Sequence, residues 1–181
     1  AELEPQVQAA LATYNQLIDA PVEAAAVVAA MAPREALLDL LVGEDATWIF
    51  LVGAEGVRAL RRSVGASGID ALVRRIRNSL ELDAAGRLRP FDLAASRALH
   101  EALLAPLADD LAGLDHLLWV PSGSLTSLPP EILAVRAAGQ GRDAFDYGHV
   151  TWLGETLTIG TVPSARALVD LRTVARPSQA P

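Results

Sequence analysis

Asp115–Leu133 reads DHLLWVPSGSLTSLPPEIL. Within it Leu117–Val120 is a continuous apolar run, the pattern of a strand buried on both faces. Pro121-Ser122-Gly123 stops that strand. Pro129-Pro130-Glu131 opens a short helix, with φ fixed by the prolines and an acid near the positive end of the dipole. Further on, Leu157–Arg172 (LTIGTVPSARALVDLR) repeats the order: a strand over Leu157–Val162, a Pro163-Ser164 turn, and a helix over Ala165–Val174 that Ser164 can cap. A less clear strand is expected over Val150–Leu153. Strand–helix alternation favours an α/β fold with parallel strands in this half of the chain.

Upstream the period changes. Ala36–Val42 (ALLDLLV), Thr47–Val52 (TWIFLV) and Val57–Val64 (VRALRRSV) are short strands separated by Gly43-Glu44-Asp45 and Gly53-Ala54-Glu55-Gly56. Turn residues at those spacings predict a three-stranded meander. Gly65–Gly68 breaks the third strand. Ile69, Leu72, Val73, Ile76 and Leu80 then recur at helical spacing. Asp83–Pro90 reads as a loop, and Asp92 is a suitable N-cap for a long helix through Leu111. Pro106 should kink or split that helix, and Gly113 should end it. At the N-terminus Leu3, Val7, Leu11, Tyr14, Leu17 and Ile18 fall on one helical face, and an Ala-rich helix is expected between Pro21 and Pro33. The expected organisation is N-terminal helices or a linker over 1–32, a main unit over 33–175, and a linker over 176–181.

The chain has 181 residues, 51% of them hydrophobic, enough for a core that should rest on Leu, Ile, Val and the three tryptophans, Trp48, Trp119 and Trp152. Its net charge is −7. An acidic balance argues against a nucleic-acid partner, which needs cations facing phosphates. The clusters Arg58–Arg62 and Arg74–Arg77 read as solvated faces in preference to anion sites. The longest apolar run near the N-terminus, Ala24–Ala32, falls short of the roughly 20 residues that span a bilayer and has no basic region before it. No membrane partner is expected, and a cytoplasmic setting is. Opening on Ala1 suggests a piece of something longer.

Candidate chemistry is sparse. With no cysteine there is no disulfide and no thiolate zinc site. His100, His116 and His149 have no partner at metal-ligand spacing, so no metal is expected, and a surface or satisfied polar role is favoured for each. Ser122 and Ser124 flank Gly123 after a buried strand, but the G-x-S-x-G elbow is absent, and turn residues are the favoured reading. The chain contains no lysine, which excludes a P-loop ATPase; Gly139-Gln140-Gly141 has no helix pattern after it, and no nucleotide or other cofactor is expected. Ser164 with Arg166 reads as an ordinary helix cap before an anion site. Asp109-Asp110 diverge by about 100° on a helix and make a poor acid/base pair. Nothing in this set identifies a catalytic residue.

The order of the motifs says more. LLWVPSGSLTSLPPEIL resembles the core-entry segment of the CHAT domain, a caspase-like domain associated with TPR repeats. Pro121, Gly123, Leu125, Leu128 and Pro129 stand at that family's positions, with Ser122 in place of the usual acid and Pro130 in place of the usual aromatic. TIGTVPSARAL resembles the family's strand ending in Pro163-Ser164. Leu38–Arg62 resembles its opening hairpin region, and PFDLAASRALHEALLAPL its long helix. The resemblance runs from about Pro33 onward. It implies an α/β fold in which N-terminal helices and a β-meander precede strand–helix units of a caspase-like sheet, left incomplete. It also implies the N-terminal part of a clan CD cysteine peptidase domain, inactive alone, because the family's His-Gly motif and its cysteine come later. Implied partners are the rest of the parent domain and upstream TPR repeats, with self-association as a way to cover an open sheet. The alternative is a free-standing interaction or regulatory module with a degenerate CHAT fold.

Overall fold

The computed structural model describes residues 21–138 and 141–174. The stripe of Leu3–Ile18 and the linker at 176–181 lie outside the described residues. Among those described, the meander forms as the turn chemistry predicts: β1 (Glu35–Val42), β2 (Thr47–Gly53) and β3 (Gly56–Arg62) pair antiparallel. β4 (His116–Val120) then pairs parallel with β1, and β7 (Thr158–Thr161) parallel with β4. The result is a five-stranded mixed sheet in the order β3-β2-β1-β4-β7.

Both faces of this sheet carry helices. Side chains alternate along each strand, so Ala36, Leu38 and Leu40 of β1 face one way together with Ile49, Leu51, Leu117 and Trp119. Helix α2 (Ala66–Leu80) and helix α3 (Leu93–Leu103) close over them with Ile69, Val73, Ile76, Leu99 and Leu103, all buried. The opposite face is covered more thinly. There Leu37, Val52 and Val120 meet Val27 of α1 (Ala24–Ala29) and Leu168 of α6 (Ala165–Val174). Arg172 of α6 ties this layer to the sheet: it donates to the Glu35 carboxylate at 2.6 Å and to the Ala30 carbonyl. Burial by itself would raise the Glu35 pKa, but the Arg172 guanidinium and the Ala32 N–H outweigh it and hold the carboxyl below its ordinary range.

Several local features depart from the sequence reading. The long helix does split at Pro106, into α3, a 3-10 turn at Ala105–Leu107 and α4 (Ala108–Leu111). Helix α2, however, starts at Ala66 and takes in Gly68. Val150–Leu153 does not join the main sheet. β6 (Val150–Trp152) pairs antiparallel with β5 (Ala134–Ala137), a strand the periodicity does not reveal, and Leu153–Thr156 turns into helix α5. Ser96, fully buried on α3, holds this small sheet: its hydroxyl donates to Ile132 O and accepts from Ala134 N, both at 2.8 Å. Of the tryptophans only Trp119 belongs to the core. Trp48 is 42% exposed, and Trp152 stacks edge-on with Phe91 and Tyr147 beside the small sheet.

Candidate functional site

In an open sheet with parallel strands, the crevice beyond the carboxyl ends of those strands is the usual place for a site. Here three turns converge at that end: Val42-Gly43 after β1, Pro121–Gly123 after β4, and Pro163-Ser164 after β7. The Ser122 hydroxyl accepts a hydrogen bond from Val42 N at 2.9 Å, clamping the exits of β1 and β4 together. Gly123 adopts φ +58, the left-handed conformation that glycine tolerates best. The chain then winds through a 3-10 segment, Gly123–Ser127, which seats Leu125 and Leu128 in the main core. Thr126 and Ser127 close it by donating to Gly123 O and Ser124 O. Pro129 leads into the 3-10 turn Pro130–Ile132. After β7, the Ser164 hydroxyl accepts from Ala167 N at 3.1 Å, the cap expected of it.

These contacts give Pro121, Gly123, Leu125, Leu128, Pro129, Pro163 and Ser164 turn, packing and capping positions. The Ser122 hydroxyl is engaged with the backbone N–H of Val42. His116 begins β4 and so lies at the other end of the strand from Ser122, roughly 20 Å away at strand rise. His100 sits on α3, contrary to the surface or satisfied role expected of it. It is 8% exposed, its Nδ1 has no partner among the described residues, and burial pushes its pKa below the ordinary histidine range. It lines an apolar pocket of about 330 Å³ with Leu104, Leu111, Val135, Leu153 and Leu157. His149 precedes β6. The three imidazoles therefore belong to three separate places.

The arginine clusters resolve into structure and surface. Arg58 pairs with Asp110, and Arg62 donates to Ala102 O at 2.9 Å. Arg75 makes a two-point bond to Asp92 at 2.9 and 3.0 Å. Burial acts to raise the Asp92 pKa, but the Ala95 N–H that it caps and the Arg75 charge lower it on balance. Arg74 and Arg77 line a groove of about 400 Å³ beside Ser124 and Ser127, where Asp70 and Glu81 offset them. That balance of charge fits a solvated face better than an anion cradle. Among the described residues no group of His, Cys, Asp or Glu has the geometry to hold a metal ion. No helix among them is long and apolar enough to cross a membrane.

The strand-and-turn segments that end in Pro121–Gly123 and Pro163-Ser164, with the hairpin region and the long helix, are the parts of the chain on which the resemblance rests. Residues 93–181 match the family model of the CHAT domain. No curated protein and no solved structure matches the chain. The matched span begins at α3 and takes in β4 to β7, whereas the meander and α2 lie before it and join it through the β1–β4 ladder. Over residues 93–181 the chain is thus similar to the CHAT domain family.

Proposed function

We propose that this chain is the non-catalytic N-terminal part of a CHAT, caspase-like cysteine peptidase domain, inactive by itself and completed by strands of the parent protein. The observation that carries this reading is the state of β7. It is the last strand on its side of the described sheet, parallel to β4, and none of its four residues, Thr158–Thr161, is charged. Natural sheets usually blunt a free edge with charge, a bulge or a covering segment. The opposite edge, β3, follows that rule with Arg58, Arg61 and Arg62. An uncharged parallel edge next to the converging turns is suited to receive a further strand.

A peptidase of this class needs a cysteine thiolate activated by a histidine. The chain has no cysteine, and its three histidines are scattered. Its contribution would be the frame: a rigid sheet end whose turns, clamped by Ser122 and capped by Ser164, hold the added strands in register. Upstream TPR repeats and a cytoplasmic setting go with this proposal. The reading frame beyond Pro181 tests it. A His-Gly pair followed by a cysteine on two later strand patterns is expected, and a stop codon directly after Pro181 overturns it.

A further inference from the structure

Among the described residues, one half of one sheet face is left uncovered. On the side where α1 and α6 pack, the alternation of β1 and β2 places Leu37, Asp39 and Leu41 beside Val52, Phe50 and Trp48. The lower pair, Leu37 and Val52, is buried under the two helices, at 1% and 6% exposure. The upper pair is not: Leu41 is 57% exposed and Trp48 42%. Phe50 and Asp39 between them are half-buried. Arg172 anchors the far end of α6 to Glu35 at the start of β1, so that helix runs away from the open half. An indole, a leucine and a phenylalanine side by side on a sheet face form the kind of apolar patch that soluble proteins cover.

The chain supplies a segment of the matching shape. α1 lies on this same face, with Val22 packed at its edge, and the described chain begins at Pro21 directly before it. The residues upstream carry Leu3, Val7, Leu11, Tyr14, Leu17 and Ile18 at helical spacing on one side. As a helix, residues 3–18 would be about 24 Å long, enough to cross a patch that occupies about 13 Å of strand. Asp19 and Ala20 alone separate the stripe from Pro21, so it is tethered beside the patch and meets it at an effective concentration that no free partner reaches.

We propose that residues 3–18 dock as an amphipathic helix across the open half of this face, seating their apolar stripe on Leu41, Trp48 and Phe50. The helix completes the thin layer begun by α1 and α6. Because these 181 residues contain no cysteine, a single one introduced by Leu41→Cys is the only thiol in the 181-residue chain. Maleimide labelling at that site should run about tenfold slower than at Ala84→Cys in the exposed 81–90 loop, since labelling must await local opening of the docked helix. Adding Val7→Asp and Leu11→Asp should bring the Leu41→Cys rate up to that of the loop. Both positions lie outside the described core, and Leu41 is exposed in it, so the melt should stay cooperative and fall by only a few degrees as the labelling speeds up. Equal rates with and without the two aspartates overturn the proposal. Protection that fades on dilution assigns the face to a second copy of the chain and overturns it as well.

Discussion

Gly65 has no room for a side chain. A Cβ there would lie 1.9 Å from Glu44 O and 2.6 Å from Glu44 C, because the turn after β1 packs directly on the start of α2. The contact is with backbone, which cannot swing aside as a long side chain can. Gly65→Ala should therefore cost about 2–4 kcal/mol, read as a lower denaturation midpoint with an unchanged slope. The sequence reading marks Gly65 only as a breaker, since the approach comes from a residue 21 positions away. Asp39 shows the opposite kind of hidden information. It stands within the apolar run ALLDLLV, and burial raises its pKa above the ordinary 3.8. The folded state thus resists its ionisation: the penalty is absent below pH 3.8 and grows as pH rises through the folded pKa. Asp39→Asn removes the charge at every pH. It should stabilise the protein by about 1 kcal/mol at pH 7, with the gain gone at pH 3, when urea unfolding is followed at both.

Among elements, strands with turn residues at both ends were the most legible. β1, β2 and β3 follow the turn spacing, and β4 and β7 follow the runs before Pro121 and Pro163. β5 was not legible, because AVRA has neither a long apolar run nor clean alternation. Its position depends on Ser96 of α3, which satisfies one carbonyl and one N–H at the entry to the small sheet. Ser96→Ala would leave both backbone groups buried without partners. The expected loss is about 2–3 kcal/mol, with accelerated amide exchange in β5 and β6 and little change in β1–β4. Uniform acceleration across both sheets would show that the small sheet does not open separately. Trp152 misled for the same reason: its neighbours Phe91 and Tyr147 come from distant segments, so its aromatic cluster exists only in three dimensions.

For the molecule as a whole, the sheet's two edges behave differently. Thr158 N donates to Asp115 O at 2.9 Å and Val162 N to Trp119 O at 3.0 Å, so in this parallel ladder the N–H groups of Ile159 and Thr161 point away from β4. Among the described residues no strand takes up that outward row. Without the added strands, the 181-residue chain should gain mass with concentration in light scattering. Thr161→Pro, which deletes an outward donor without touching the β4 ladder, should return it to the monomer; a strictly monomeric parent at all concentrations would sink this expectation. The sequence by itself determined the α/β class, the meander, the parallel strands before Pro121 and Pro163, an interruption at Pro106 and the CHAT resemblance of residues 93–181. All of these depend on local periodicity, turn chemistry and motif order. Only the tertiary structure decided that β6 leaves the main sheet for β5, that Ser122 clamps β1 to β4, that His100 is buried with no partner for its Nδ1 among the described residues, and that those residues leave half of one sheet face uncovered. Those features depend on which distant segments meet, and a hydrogen bond or a contact across 80 residues leaves no period in the chain to read.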